Sequence, residues 1–272
     1  MPKPFLKWAG GKRWLINNNS LNLPIKYNKY FEPFLGSGAL FFFLTPKNAY
    51  LSDTNAGLIE LYETIKNHPE DLAKLMLVHH KNHSKDYYYN MRKQVPLYRL
   101  ERAARFLYLN RTCWNGLYRV NYQGNFNVPI GTKTSVILST DDFVSISDVL
   151  KTTELVCSDF EKAIDLTKEG DFLFVDPPYT VQHNNNNFIK YNENLFSWSD
   201  QERLKNALLR AKERKVQIIA TNADHPSIRN LYENVGQYQQ LSRQSVLASN
   251  SDKRGNTTEA MFVANIERSI TK

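Results

Sequence analysis

The sequence predicts an α/β protein with a doubly wound, mostly parallel sheet and an inserted subdomain that contains helices and a β-hairpin. Short apolar segments alternate with helical patterns, and a glycine-rich turn follows the first of these segments. The alternation stops over residues 58–151, which marks the insertion. The chain has 272 residues, of which 42% are hydrophobic, so it can bury a large core. A disordered or collagen-like protein is therefore excluded.

Strands are predicted where short apolar runs end at a turn signal. The first strand precedes the turn Phe34–Gly38, and the second ends at Asp53. The runs are Tyr30–Pro33, Asn48–Ser52, Leu155–Cys157, Phe172–Val175, Val216–Thr221 and Glu259–Ala264, with Gln239–Arg243 as the hairpin partner of the last. Ser199 and Glu202 have the spacing of a capping box, which predicts a helix from there towards Arg214.

The interruption of the alternating pattern predicts a separate domain. Its first part is rich in helical patterns, and the later segment Leu117–Val128 surrounds a turn at Gly124, which predicts a β-hairpin. We therefore divide the chain into a main domain of residues 1–57 and 152–272 and an inserted domain of residues 58–151.

Positive charge is concentrated in the insertion. The net charge of the chain is +8, and residues 85–119 hold eight Lys and Arg against two acidic residues. Aromatic residues lie between these cations, so cations could neutralise phosphates while rings stack on bases. This pattern favours a nucleic-acid partner. A solvated helix face is the alternative, because arginines recur at helical spacing over Arg99–Arg105.

Composition excludes several other classes of protein and site. Two cysteines, Cys113 and Cys157, rule out a secreted disulfide framework and a four-thiolate zinc site. The N-terminal residues show no signal region, and the longest apolar run has six residues, so we expect a soluble, reduced, cytoplasmic protein that contacts no membrane. We predict no metal site, because His79, His80 and His83 lack a carboxylate or cysteine partner and fit a solvated helix end.

The glycine-rich turn predicts a ligand-binding segment. Gly36 and Gly38 lie between a strand and a helix, where the backbone can approach a ligand closely. Phe41 occupies the position of the third glycine in the dinucleotide fingerprint, which disfavours a nicotinamide dehydrogenase. Asp53 ends the next strand, where acidic residues accept hydrogen bonds from ribose hydroxyls. The alternative is a tight turn with a helix cap from Asp53 or Asn55.

The most specific segment is Phe174–Tyr179, in which two prolines directly follow an apolar strand. The prolines end the strand and fix the backbone beyond it. A carboxylate (Asp176), a backbone carbonyl (Pro177) and an aromatic ring (Tyr179) are thereby presented at the carboxyl end of the strand, where open α/β sheets bind ligands.

Together these motifs resemble the Dam-type DNA N6-adenine methyltransferases, an alpha-order group of amino-methyltransferases. The order of the elements matches that family over essentially the whole chain: Lys7–Lys12 (Lys-Trp-Ala-Gly-Gly-Lys), the glycine motif, an insertion, then Asp-Pro-Pro-Tyr. The resemblance implies a Rossmann-like S-adenosylmethionine methyltransferase sheet. It also implies that residues 1–57 and 152–272 form the catalytic domain and that residues 58–151 form the target-recognition domain.

The resemblance further implies the reaction. Asp176 and the Pro177 carbonyl would accept hydrogen bonds from the N6 amino group of an adenine flipped out of duplex DNA, and Tyr179 would stack on that base. S-adenosylmethionine is the implied cofactor, with no metal. The implied cofactor residues are Trp8, Gly11, Lys12, Phe34, Gly36, Gly38, Asp53, Asp159, Phe160 and Asp176. For Asp159, which would bind the cofactor adenine, helix capping is the alternative.

DNA contacts are implied for residues of the segments Asn115–Arg119 and Phe126–Pro129 and for two residues outside them. The implied roles are guanine contacts for Lys7 and Arg119, a wedge for Trp114, filling of the flipped-base gap for Asn115, and thymine contacts for Leu117 and Pro129. These matches favour the site GATC. Trp114 departs from the Tyr or Phe expected at its position, which leaves core packing as an alternative role for its ring.

The expected partner is double-stranded DNA, with a cognate restriction endonuclease acting on the same site as a further partner. We expect a monomer in the cytoplasm of a prokaryotic cell, nucleoid-associated when bound to DNA, or a phage-encoded enzyme. Three alternatives stay open: a related enzyme with another adenine site, an enzyme acting on RNA or a protein amide, and an inactive DNA-binding relative. Asp176 argues against the amide substrate, because protein-directed enzymes of this type carry Asn there.

Overall fold

A computed structural model describes residues 2–17, 21, 23–121, 123–182, 196–244 and 256–266. Within these residues the chain forms seven strands and ten helices. The strands are β1 (Tyr30–Glu32), β2 (Ala49–Asp53), β3 (Thr153–Cys157), β4 (Phe172–Val175), β5 (Gln217–Ala223), β6 (Gln237–Gln244) and β7 (Asn256–Ala264). They form one sheet in the order β3-β2-β1-β4-β5-β7-β6. This is the predicted mixed α/β, Rossmann-like architecture.

The helices alternate with the strands outside the predicted insertion. They are α1 (Arg13–Asn17), α2 (Ala39–Leu44), α3 (Ala56–Asn67), α4 (Pro69–Asn82), α5 (Lys85–Lys93), α6 (Arg99–Thr112), α7 (Phe143–Leu150), α8 (Phe160–Asp165), α9 (Trp198–Glu213) and α10 (Pro226–Leu231), with a single 3₁₀ turn at Trp114–Gly116. Helices α3 to α7 follow one another with no named strand between them in the described residues. Side-chain caps begin several of them, because the first amides of a helix lack backbone partners. Asn55, Ser84 and Asp142 cap α3, α5 and α7 in this way.

The strand order reverses between β1 and β4, which run parallel. β4 also pairs in parallel with β5, and every residue of β4 is buried, as expected for a strand covered on both faces. β7 pairs antiparallel with both β5 and β6, which confirms the predicted hairpin at the end of the chain. The reversal creates a topological switch point at the carboxyl ends of β1 and β4, where open sheets bind ligands.

The chain divides into two compact units, which are described separately. The first unit comprises Met1–Arg13, Leu35–Lys47 and Leu51–Cys157, and the second comprises Trp14–Phe34, Asn48–Tyr50 and Ser158–Lys272. The division at residues 57/58 and 151/152 stays a prediction. Among the described helices, none combines the length and apolarity that crossing a bilayer requires.

Helix α9 corrects the predicted capping box. Ser197, not Ser199, is the cap: its Oγ accepts from the amide of Asp200 at 3.2 Å, and Asp200 Oδ2 accepts from the amide of Ser197 at 2.9 Å. Ser199 lies inside the first turn. Two Ser-x-x-acid patterns overlap here, and the earlier one begins the helix because an Asp at this position can accept the same bond as a Glu. The helix ends at Glu213 with Arg214 as its C-cap, and so runs towards Arg214 as predicted.

The clustered histidines also differ from the prediction of a solvated helix end. His79 Nδ1 lies 2.8 Å from the Tyr87 hydroxyl, and its ring stacks on Tyr108 with centroids 4.9 Å apart. His83 Nδ1 lies 2.8 Å from the Tyr108 hydroxyl. Burial lowers the pKa of His79 to about 4, so this histidine is neutral at ordinary pH. These two histidines therefore belong to the aromatic core of the first unit.

The predicted β-hairpin over Leu117–Val128 is formed only in part. In the described part of this segment, Val120 and Phe126 form an isolated antiparallel bridge, and the amides of Asn121 and Asn127 donate to the carbonyls of Asn125 and Arg119 at 2.8 and 3.2 Å. The turn is organised by Asn121, whose Oδ1 accepts from the amides of Gln123 and Asn125 at 3.0 and 2.9 Å. An Asn side chain that binds nearby amides is typical of a turn. The segment keeps the reversal of direction without forming regular strands.

Candidate active site

The carboxylate of Asp176 is held in a defined position at the end of β4. Its Oδ1 accepts from Thr221 Oγ1 at 2.7 Å and lies 3.2 Å from the Tyr179 hydroxyl oxygen. Thr221 is in place because β5 runs beside β4 and pairs Ala220 with Val175, one residue before each side chain. The Thr221 bond and the adjacent phenol restrict how the carboxylate can turn. Sequence reasoning did not identify Thr221, because its role depends on the register between two strands.

Tyr179 lies between two carboxylates. Its hydroxyl donates to Glu259 Oε2 at 2.7 Å and also lies within hydrogen-bond distance of Asp176. Burial, with the adjacent charges of Asp176 and Glu259, raises the pKa of Tyr179 well above its usual range, so the phenol stays protonated and donates. Glu259 is buried, at 5% exposure, in the last strand. No role for Glu259 was predicted from the sequence. The signal that could have indicated one is an acidic residue at the start of an apolar strand.

The chain beyond the two prolines is anchored by buried polar groups. Thr180 Oγ1 donates to the Phe196 carbonyl at 2.6 Å, and the Thr180 carbonyl accepts from Gln201 Nε2 at 3.4 Å. Pro177 is buried. The backbone that carries the Pro177 carbonyl and the Tyr179 ring is therefore fixed at both ends, which confirms the rigid presentation that the sequence predicts.

Three aromatic rings cluster elsewhere in the second unit. Phe34, directly after β1, stacks on Phe160 with centroids 5.4 Å apart, and Phe196 packs edge-on against Phe34 at 5.6 Å. Arg203 lies over the Phe160 ring at 4.9 Å. Phe34 and Phe160 were both predicted as cofactor residues, and the structure brings them into direct contact.

Asp159 caps helix α8, which was the alternative to its predicted role in binding the cofactor adenine. Its Oδ1 accepts from the amide of Glu161 and from an Arg203 nitrogen, both at 2.9 Å. Arg203 also pairs with Glu161 and Asp200 and so connects α8 with α9. An ionised carboxylate can accept about four hydrogen bonds, so the cap is compatible with a further donor on Asp159.

In the first unit the glycine turn is closely packed and depends on its glycines. Gly36 has φ +47°, and a Cβ there would lie 2.7 Å from Trp8 Cδ1. Gly38 has φ +60° and begins α2. The Gly36 amide donates to Asp53 Oδ2 at 3.2 Å, and the Tyr62 hydroxyl donates to the Gly36 carbonyl at 3.2 Å. Only glycine combines these backbone angles with such a close approach by an indole ring.

Asp53 stabilises this turn by hydrogen bonds, as expected from the alternative of a tight turn with a helix cap. Besides the Gly36 amide, it accepts from the Asn55 amide at 2.9 Å, while the Asn55 side chain caps α3. Burial raises the pKa of Asp53, although the backbone amides that donate to it oppose this effect. The Asp53 carboxylate thus fixes the distance between the end of β2 and the glycine turn.

The N-terminal motif makes a second tight turn in the same unit. The Gly11 amide donates to the Trp8 carbonyl at 3.2 Å, and the buried Lys12 places Nζ 2.7 Å from the Gly10 carbonyl. A Cβ on Gly11 would lie 3.5 Å from Ser37 Oγ in the glycine turn. The first unit therefore brings together six of the predicted cofactor residues: Trp8, Gly11, Lys12, Gly36, Gly38 and Asp53.

Lys7 packs against the 3₁₀ turn that follows α6. A Cβ on Gly116, where φ is +67°, would lie 2.6 Å from Lys7 Cβ, so only glycine fits there. The Asn110 side chain accepts from the Lys7 amide at 3.1 Å and donates to the Lys7 carbonyl at 2.7 Å. Burial, followed by the charge of Lys133, lowers the pKa of Lys7. Lys7 is thereby fixed beside the turn that carries Trp114 and Asn115.

The turn itself presents exposed side chains. Trp114 is 50% exposed, so the core-packing alternative for its ring is wrong. Asn115 is exposed and has φ +54°, a backbone angle that non-glycine residues seldom adopt. Arg119 is exposed, with Nε 2.9 Å from Asn127 Oδ1. Pro129 is exposed, and its carbonyl accepts from the Trp114 amide at 2.9 Å, while Leu117 is partly buried.

A stack of aromatic rings links this turn to the N-terminal motif within the first unit. The Trp8 ring lies nearly parallel to Phe106 and Tyr118, at 6.4 and 6.0 Å between centroids. Phe106 and Tyr118 stack at 4.3 Å, and Tyr118 packs on Phe126. The stack spans from the turn at Gly36, which packs on Trp8, to the loop that carries Arg119.

The basic run over residues 85–119 makes extensive contacts within the protein. Arg99 and Arg102 pair with Glu60, and Arg99 also pairs with Glu63. Arg105 donates to backbone carbonyls at 2.5 and 2.9 Å. The buried Arg111 forms a bidentate pair with Asp141, with both nitrogen–oxygen distances at 2.6 Å. The excess charge of this run therefore does not measure its capacity to bind phosphates.

Comparison with known proteins identifies the family. The family model for D12 class N6 adenine-specific DNA methyltransferases matches residues 8–247. The Type II methyltransferase M1.LlaDCHI of Lactococcus lactis subsp. cremoris is 36% identical over 266 residues, which cover 94% of this chain and 93% of the relative. A DNA adenine methylase of Haemophilus influenzae is 31% identical over 268 residues, covering 96% and 93% of the two chains.

A further relative is the DNA N-6-adenine-methyltransferase of Escherichia phage P1. It is 33% identical over 258 residues, which cover 93% of this chain but 34% of that longer protein. The matched segment of the family model includes both Trp8, at its first residue, and the Asp-Pro-Pro-Tyr segment that ends at Tyr179. The chain therefore belongs to the D12 class of N6 adenine-specific DNA methyltransferases, and it is an enzyme of that family.

Proposed function

We propose that this protein transfers a methyl group from S-adenosylmethionine to the N6 amino group of an adenine in double-stranded DNA, within the site GATC, after that adenine has flipped out of the helix. The observation that carries the proposal is the placement of the Asp176 carboxylate, with Oδ1 held by Thr221 and beside the Tyr179 hydroxyl, next to the buried Pro177. Flipping a base costs a few kcal/mol of unstacking and unpairing, which contacts with the protein must offset.

The chemistry needs two hydrogen-bond acceptors at fixed positions. The amino nitrogen of adenine is a poor nucleophile, because its lone pair is delocalised into the ring. Asp176 and the Pro177 carbonyl would accept its two hydrogens, which localises the lone pair and orients it, and Tyr179 would stack on the base. When bound, S-adenosylmethionine supplies a methyl group on a positively charged sulfur, so the protein contributes orientation and electrostatics.

The residues present fit S-adenosylmethionine. The glycine turn lets the backbone come close to a ligand, and the carboxylate of Asp53 is an acceptor suited to ribose hydroxyls even while it accepts backbone amides. The stacked rings of Phe34 and Phe160 suit an adenine ring, with Asp159 as acceptor for its amino group. We assign cofactor binding to these residues together with Trp8, Gly11, Lys12, Gly36, Gly38 and Asp176.

The exposed turn after α6 is the proposed DNA-reading element. Lys7 and Arg119 are assigned to guanine N7 and O6, and Leu117 and Pro129 to thymine. Trp114 would insert between bases, and Asn115 would fill the gap left by the flipped adenine. The exposure of Trp114, Asn115 and Arg119 supports these roles.

Relatives suggest the biological setting. One relative is named a Type II methyltransferase, which supports a restriction endonuclease acting on the same site as a partner. Others are named DNA adenine methylases or come from a phage. We propose a monomer that acts on DNA in a prokaryotic cytoplasm, in association with the nucleoid. A related adenine site other than GATC is the second candidate, because the relatives carry different names.

The test measures labelled methyl transfer from S-adenosylmethionine to three duplexes. One contains GATC, the second carries N6-methyladenine at that site on both strands, and the third has one outer base pair changed. We expect label in the first duplex only. Label in the first and third would support the chemistry and replace GATC by a less strict site. No label in any duplex would contradict the proposal and direct the search to RNA substrates or a binding-only role.

A further inference from the structure

A hydrogen-bonded chain of three side chains crosses from β4 to the last strand of the second unit. Tyr179 lies between Asp176 Oδ1, at 3.2 Å, and Glu259 Oε2, at 2.7 Å. Glu259 pairs with Ala223 across β5 and with Leu241 across β6. The carboxylate therefore comes from the middle strand of an antiparallel arrangement, 80 residues away in the sequence from the tyrosine that it contacts.

The distances from the Tyr179 hydroxyl show that Glu259 and Asp176 have different roles. A phenol has a single proton, and the shorter contact directs it to Glu259. The phenolic oxygen remains beside Asp176, whose firm donor is the Thr221 hydroxyl at 2.7 Å. Glu259 thus holds the outer end of the Tyr179 side chain. The proline pair and the anchored Thr180 fix its backbone end.

The energetics favour a stable contact. A buried carboxylate is costly unless it is hydrogen-bonded, and Glu259 is 5% exposed. The Tyr179 hydroxyl supplies such a bond, and burial keeps this hydroxyl protonated. Breaking the contact would leave a buried carboxylate and a half-buried hydroxyl with poorer partners, so the ring of Tyr179 is held in one orientation.

We infer that Glu259 is a positioning residue for methyl transfer: by accepting the Tyr179 hydroxyl, it fixes the ring that stacks on the target base and the phenolic oxygen beside Asp176. This inference rests on the proposed function and extends it to a residue of the last strand. No covalent step is involved, and the contact through which Glu259 acts is its bond with Tyr179.

The test is a double-mutant cycle on single-turnover methyl transfer, with Glu259→Met, Tyr179→Phe and the double variant. Glu259→Met removes the acceptor at similar side-chain length. We expect either single change to lower the rate constant about 10- to 100-fold, the range for a lost hydrogen bond to a charged group. The dissociation constant for S-adenosylmethionine should stay within about 3-fold of the parent, and the double variant should be no slower than Tyr179→Phe.

Two further variants separate positioning from simple stability. Glu259→Gln keeps an acceptor oxygen and should retain the rate within about 3-fold. Tyr238→Phe removes a comparable bond, from the Tyr238 hydroxyl to Asp224 Oδ1 at 2.8 Å, from the neighbouring strand β6. It should leave the rate unchanged, and melting temperatures of all variants report folding.

Several outcomes would overturn the inference. They are Tyr179→Phe or folded Glu259→Met reacting at the parental rate, additive losses in the double variant, and an equal loss from Tyr238→Phe. If Glu259→Met fails to fold, Tyr179→Phe and Glu259→Gln decide the question alone. Failure of the parental protein to label any duplex would instead refute the proposed function, so the two failures are distinguishable.

Discussion

Helix α6 and the turn that follows it carry similar residues, arginines and aromatic rings, but they lie in different environments. The arginines of α6 bind acidic side chains and carbonyls of the first unit, most completely at Arg111. The turn exposes Trp114, Asn115 and Arg119. A positive run in a sequence therefore does not identify a DNA surface by itself. The decisive property is whether acidic partners lie within reach in the fold.

The largest expected effect tests the claim that the arginines of α6 are bound within the protein. Arg111→Met leaves Asp141 as a buried carboxylate that has lost its bidentate partner, so we expect a loss of about 3–5 kcal/mol in the free energy of unfolding. Chemical denaturation measures this loss. The double variant with Asp141→Leu removes both charges and should recover much of the stability. A stable single variant with weakened DNA binding would assign Arg111 to DNA instead.

The second effect concerns the aromatic core beside α6. Burial lowers the pKa of His79 from its usual value near 6.5 to about 4, so the unfolded chain binds a proton more readily than the folded one. The resulting stability is fully present above about pH 6.5 and is lost as the pH falls towards 4, by about 3 kcal/mol in total. Burial also lowers the pKa of His83, which acts in the same direction.

Denaturation at a series of pH values tests this expectation. His79→Phe keeps a ring against Tyr108 but cannot titrate, so its stability should vary less between pH 4 and 6.5. The exposed neighbour His80 provides the control, since His80→Gln should keep the parental dependence. An unchanged slope in His79→Phe would assign the pH dependence to other groups.

The third effect tests whether the exposed turn after α6 contacts DNA. Arg119→Ala should cost about 1–3 kcal/mol of discrimination at one base pair and leave the protein folded, because the side chain is exposed and bonded only to Asn127 among the contacts described. Methyl transfer to duplexes with each single base change measures the discrimination. An unaltered preference at every position would contradict the assignment of Arg119 to a guanine.

The smallest effect comes from the exposed arginine of α6. Arg99→Gln should change the free energy of unfolding by no more than about 1 kcal/mol, the range for a surface ion pair. It should also leave the salt dependence of DNA binding unchanged, because Arg99 is engaged with Glu60 and Glu63. A decrease of about 1 in the slope of log affinity against log salt would show that Arg99 contacts a phosphate.

The features that sequence could predict are those with local causes. The predicted segments placed all seven strands within a few residues, and the two prolines after β4 fixed where Asp176 and Tyr179 are presented. The glycine turn was predictable because its positive φ angles and the approach of Trp8 require glycine. In each case the determining residues are neighbours in the chain or have a unique backbone preference.

The features that were missed depend on distant pairing. The bond between Tyr179 and Glu259 requires the β5–β7 register, and the pairing of Arg102 with Glu60 joins residues 42 positions apart. The start of α9 was predicted at Ser199 instead of Ser197, because two overlapping Ser-x-x-acid patterns occur there. The predicted hairpin keeps an antiparallel bridge but forms no regular strands in the described residues, and the Asn121 side chain accepts two amides within its turn.

The most direct test of the account compares the parental protein with Asp176→Ala on a duplex that contains GATC. N6-methyladenine is quantified by mass spectrometry, and DNA affinity is measured alongside. We predict a fall in transfer of about 100-fold or more with DNA affinity largely retained, because Asp176 orients the amino group rather than holding the duplex. The exposed Asp148→Ala should behave like the parental protein. Methylation by Asp176→Ala at the parental rate would contradict the proposed chemistry.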